Sequence, residues 1–159
     1  MTTASAIRRA SQPDDVDRNI ALLAYGLLFF AIFFAGAPAL IAVAIAYARR
    51  KHVDAFVASH HRFQIFIFWI GFALTLLAAL SGLAALLSIM GDLLGVILQA
   101  RWNGVDVLQT ISLHVGRPFF IFAAAAGVLG VLTGLWLMVT AGYGFVRLAS
   151  SHPIPQTAR

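Results

Sequence analysis

The sequence predicts an all-α membrane protein: three transmembrane helices with a short amphipathic segment between the second and the third. Two observations carry this reading. Hydrophobic residues make up 61% of the 159 and charged residues only 11%, where a soluble domain averages roughly 45–50% and about 25%. A soluble chain of this size has too much surface for its volume to hide that apolar content. The charges are also clustered, so that residues 19–48, 63–91 and 118–146 carry none. Each of those stretches exceeds the roughly 20 residues that cross a hydrocarbon core of about 30 Å.

The elements follow in order. Residues 1–18 form a polar tail, with Asp15 or Asp17 placed to cap the first helix and to favour its positive end. Three Asp residues precede the first apolar run, which is itself too long for a signal peptide, so no cleavable leader is expected. A single transmembrane domain is expected over residues 19–147, with spans at about 20–48, 63–90 and 118–146. The first span should kink around residues 34–38, where Gly36 and Pro38 interrupt it. It ends at Tyr47, followed by the basic run Arg49, Arg50 and Lys51. Within the loop that follows, residues 53–62 suit a short interfacial helix. The second span opens on an aromatic run, and Asp92 marks its outer end. A hairpin at Ser81 and Gly82, giving four helices, is the alternative, although no turn signal stands there. Residues 91–117, broken by Gly104, read as the amphipathic insertion, with Asp106 and His114 on its solvated side. Pro118 suits the first position of the third helix, and residues 148–159 form a polar tail.

Several function classes are excluded or disfavoured. The chain has no cysteine and no glutamate, which removes thiol chemistry and cysteine metal sites. No phosphate-binding glycine loop, serine elbow or His-Glu-x-x-His motif is present. We therefore expect no catalytic residues, no metal, no cofactor and no enzyme activity. The chain is basic, with 11 Lys and Arg against 6 acids, yet the cations flank apolar spans and form no stripe for nucleic acid. The densest cationic loop is expected in the cytoplasm, with the C-terminus beside it and the N-terminus on the opposite side.

The junction Ser59-His60-His61-Arg62-Phe63-Gln64-Ile65-Phe66-Ile67-Phe68-Trp69 resembles a motif in a family of small, uncharacterised bacterial inner-membrane proteins. In that family a basic loop leads into Ser-His-Phe-Arg-x-Gln-Ile-x-Thr-Phe-Trp and then an apolar span. Ala46, Tyr47, Arg49 and Arg50, and the tail from Arg147 to Pro155, resemble it too. The resemblance covers residues 20–90 and 125–155; Ile67 stands where the motif has Thr, and residues 91–117 read as an insertion. The family is loosely grouped with the chloroplast inner-envelope import component, a four-helix protein. The resemblance implies a multi-pass location in a bacterial inner membrane.

Candidate binding residues are Arg49, Arg50, Lys51, His60, His61, Arg62, Gln64 and Trp69. They form a polar, aromatic-rimmed cluster at a membrane boundary, suited to lipid headgroups or a partner protein. Helix packing is expected at small residues spaced by four: Ala31, Ala35 and Ala39, then Ala78 and Gly82, then Ala126, Gly130 and Gly134. The lipid bilayer, another membrane protein or a second copy are the partners this suits. The expected function is an accessory or scaffold component; the alternative is a subunit of an oligomeric transporter or channel.

Overall fold

The computed structural model describes residues 12–103 and 116–154. Among the described residues the chain is helical, with no strand. Helix α1 covers Gln12–Phe30, a 3₁₀ turn follows over Ala31–Phe34, and α2 covers Ala37–Arg49. Helix α3 runs over Ala55–Asn103 and α4 over Arg117–Ala149. Three helical stretches are long and apolar enough to cross a membrane: Asp15–Phe34, Ala55–Trp102 and Arg117–Ala149. Helix α2, with 13 residues, reaches only about 20 Å at 1.5 Å per residue and is too short to cross alone.

The expected first span, residues 20–48, is therefore not one kinked helix. It is a hairpin. Ala35 (φ 49°) and Gly36 (φ 83°) are consecutive left-handed residues, and two such residues reverse the chain where a proline alone would only bend it. The Gly36 N–H closes the turn on the Ala31 carbonyl at 2.9 Å, and Pro38 sits in the first turn of α2. At the far end Arg49 pairs with Asp17, so α1 and α2 run antiparallel. Alanines line the seam: Ala21, Ala24 and Ala31 on or just after α1, Ala39, Ala42 and Ala46 on α2, all buried. Small side chains let the two backbones approach closely. A Cβ at Gly36 would meet no atom within 4 Å, so Gly36→Ala isolates the backbone cost of a left-handed residue. We expect it to destabilise the hairpin by about 1 kcal/mol, read as a lowered unfolding midpoint in detergent.

The chain divides into two compact units, one holding residues up to Phe72 and from Gly134 onward, the other Ala73–Thr133. In the first unit, α1 and α2 pack with the start of α3 and the end of α4. The core there includes Leu28, Val57, Ile67, Leu137, Ala141 and Leu148, and Trp136 Nε1 donates to the Ile67 carbonyl at 3.2 Å. Helix α4 ends in a Schellman pattern: the Ser151 N–H donates to Leu148 O and the His152 N–H to Arg147 O, with Ser151 left-handed at φ 58°. Pro153 follows directly and cannot extend the helix.

In the second unit, Gly82 of α3 faces Ala126 of α4, as the small-residue spacing suggests. Asp92 Oδ2 accepts the Gly116 N–H at 3.0 Å, placing a carboxylate at the N-terminus of α4, where unpaired N–H groups gather. Helix α3 continues past Asp92 to Asn103, so residues 91–103 are continuous with that helix. Asp106, His114 and the rest of residues 104–115 lie outside the described residues. Helix α3 also passes through Ser81 and Gly82 without a turn, which removes the four-span alternative. The interfacial helix expected over residues 53–62 is the first part of α3.

Of the residues expected to pack helices, Ala31 and Ala39 are buried and Ala78, Gly82, Ala126 and Gly134 are partly so. Ala35 is exposed because it forms the turn, and Gly130 is exposed as well.

Candidate functional site

The first unit gathers its polar residues at one end. That end contains the Asp17–Arg49 pair, the loop from Arg50 to Asp54, the start of α3 and the last turn of α4. Arg18 Nη2 donates to the Ala149 carbonyl at 2.6 Å, which ties α1 to α4 here. The N-terminal end of α1 therefore lies beside the basic loop and the end of α4. This corrects the expectation that it sits on the opposite side, and the reason is the hairpin, which returns the chain to its starting side.

His60, His61 and Gln64 are fully buried, at 0% exposure. The sequence reading placed them at the headgroups with Arg62, but only Arg62 is exposed. Val57, Ala58, Ser59, His60 and His61 are buried in succession, so the first turns of α3 are enclosed on every side. Each polar group there needs a protein partner, since unpaired buried polar groups are costly.

Hydrogen bonds settle the arrangement. Gln64 Nε2 donates to the Ala21 carbonyl at 2.8 Å, which fixes which way the amide points. Its Oε1 then accepts from His61 Nδ1 at 2.9 Å. On the other side, His60 Nε2 donates to the His152 carbonyl at 3.1 Å. That leaves His60 Nδ1 to accept from the Tyr25 hydroxyl at 3.1 Å. Both tautomers thus follow from the fixed roles of amide and carbonyl groups. Tyr25 is 1% exposed and lies against Gly144, where any Cβ would run into its ring. Tyr25, Gly144 and His152 were not singled out in the sequence. Their signal is non-local, because α1 and α4 must first be packed against α3.

The basic residues divide by partner. Arg49 is neutralised by Asp17, the one ion pair among the described residues. Arg50 lies 4.7 Å above the Tyr47 ring, a cation–π contact. Trp69, half exposed, donates Nε1 to the Tyr47 hydroxyl at 3.0 Å, and Arg147 donates to the Tyr143 hydroxyl at 2.7 Å. Lys51 and Arg62 are exposed. The first unit thus carries a cationic face, and Arg50 and Arg147 lie against Tyr47 and Tyr143, which with Trp69 are amphipathic aromatics of the kind that sit at headgroup level. An apolar groove of about 320 Å³ in the same unit is bordered by Gly26, Phe30, Gly142 and Val146.

Among the described residues, no three His, Cys, Asp or Glu side chains converge to hold a metal ion. The two histidine rings face different partners, His60 toward Tyr25 and His152, His61 toward Gln64. No family model, curated protein or solved structure matches the chain.

Proposed function

We propose that this chain is an accessory integral membrane protein that holds anionic phospholipid headgroups at its basic end. The observation that supports this reading most is the cationic face itself. Arg50, Lys51 and Arg62 have no carboxylate partner among the described residues, and Arg50 lies against Tyr47, whose hydroxyl accepts the Trp69 N–H. A phosphate oxygen supplies what that face lacks, an acceptor for charge-assisted hydrogen bonds. Juxtamembrane cations of this kind each contribute about 1 kcal/mol at an anionic surface. The same cluster suggests that this end faces the cytoplasm of a bacterial inner membrane, where Lys and Arg accumulate. The buried histidines and Gln64 take a structural part in the reading, by holding the start of α3 against α1 and α4.

Detergent-solubilised protein titrated with phosphatidylglycerol and phosphatidylcholine, with bound lipid counted by native mass spectrometry, tests the proposal. Wild type should prefer phosphatidylglycerol. The triple change Arg50→Gln, Lys51→Gln, Arg62→Gln should weaken that preference at least roughly ten-fold, with unfolding temperature unchanged. Equal retention of both lipids by the folded wild type would refute the reading.

A further inference from the structure

His61 Nε2 is buried and has no hydrogen-bond partner. The bonds around it make that lone pair bare: the Ala21 carbonyl orients Gln64, Gln64 takes the His61 Nδ1 proton, and Nε2 is left as an acceptor with no donor. Its position matters as much. His61 precedes Gln64 by three residues on α3, and Asp17 precedes Ala21 by four on α1. Each step is one helical turn toward the basic end. His61 is therefore level with Asp17 and with Arg49, and the charges of both act on it.

From this arrangement we infer that His61 is a proton-binding site that governs the Asp17–Arg49 ion pair. A proton from water at the basic end adds to Nε2, forming only the N–H bond. The resulting imidazolium donates to the Asp17 carboxylate and displaces Arg49, whose guanidinium is released with its full charge beside Lys51 and Arg62. Acid thus strengthens the grip on anionic headgroups and loosens the α1–α2 hairpin at its open end. The inference rests on the lipid reading for its consequence, though not for the exchange of partners itself. Burial weighs most on His61 and opposes its charging; Gln64 bonds it, Asp17 of α1 favours its charge, Arg49 of α2 opposes it, and His60 beside it is opposed in turn by Arg147 of α4. A histidine set against a carboxylate and a competing cation is a two-state element that one proton biases.

Two readouts test it on the full-length protein in detergent, at about pH 8 and about pH 5; the acid point is set well under the ordinary imidazole value of roughly 6.5 because burial holds His61 below it. In the first, wild type should bind phosphatidylglycerol about five-fold more tightly in acid, the size of one added cation at an anionic surface. His61→Gln should keep the neutral affinity and lose the gain, and Asp17→Asn should show the acid affinity at both pH values. His52 and His152 are exposed at the same end, so the pair His52→Gln, His152→Gln must retain the gain. In the second, amide exchange of α1 and α2, corrected for its intrinsic pH dependence, should rise in acid in wild type and not in His61→Gln. A gain that survives His61→Gln, or a hairpin equally protected at both pH values, overturns the inference. Acid loosening of the hairpin through His61 without any lipid preference would uphold the inference and remove the lipid reading.

Discussion

Gly144→Ala should destabilise the protein by at least ~2 kcal/mol, within or above the usual cost of overpacking a closed site. The added methyl has nowhere to go, because its ideal position overlaps the Tyr25 ring. Tyr25 cannot swing aside cheaply: it is 1% exposed, and its hydroxyl is held by His60. Moving it breaks that bond and leaves the His60 Nδ1 acceptor buried and unpaired, which adds a desolvation penalty. Thermal or denaturant unfolding in detergent checks the size. The double variant Gly144→Ala with Tyr25→Leu checks the cause, since a smaller residue at 25 removes the clash. Its cost should be well below the sum of the two single costs, as expected for residues in contact. Simple additivity would show that the two do not collide.

Gln64→Leu should be nearly as damaging, costing roughly 1–3 kcal/mol for the buried donor left unmade. Leucine has similar bulk and suits the helix, so packing is little changed and the loss reports on hydrogen bonding. Without the amide, the His61 Nδ1–H has no acceptor, and the tie from α3 to the Ala21 carbonyl is lost. The expected signature is a lowered unfolding midpoint together with faster amide exchange around Ala21. Gln64→Glu separates the two roles, because a carboxylate still accepts from His61 but cannot donate to Ala21 when ionised. An unchanged midpoint in Gln64→Leu would mean that the network contributes nothing to stability.

The long helices were legible in the sequence because their evidence is local. Uncharged runs longer than a bilayer and the absence of strand patterning need no tertiary information. The break at Gly36 and Pro38 was legible in place but not in extent. Proline predicts a bend, whereas the reversal depends on Ala35 also turning left-handed, which an alanine does not advertise. The surroundings of His60, His61 and Gln64 were not legible, since all three are buried. Histidines beside Arg62 at the edge of an apolar run read as headgroup contacts. Only the return of α2 and the docking of α4 enclose them, and neither leaves a trace near residue 60. The partner of Asp92 was hidden for a related reason: it is the N–H of Gly116, 24 residues on.

The hairpin bears on how the chain enters its membrane. A single first span would have to carry one charged flank, Asp17 with its neighbours or Arg49 with Arg50 and Lys51, through the lipid to the opposite face. With both flanks paired at one end, residues 19–48 can go in as a closed loop, apolar tip first, and neither flank is translocated. Moving one elementary charge across 100 mV involves about 2.3 kcal/mol. Insertion of this part of the chain should therefore proceed as readily into de-energised vesicles as into energised ones.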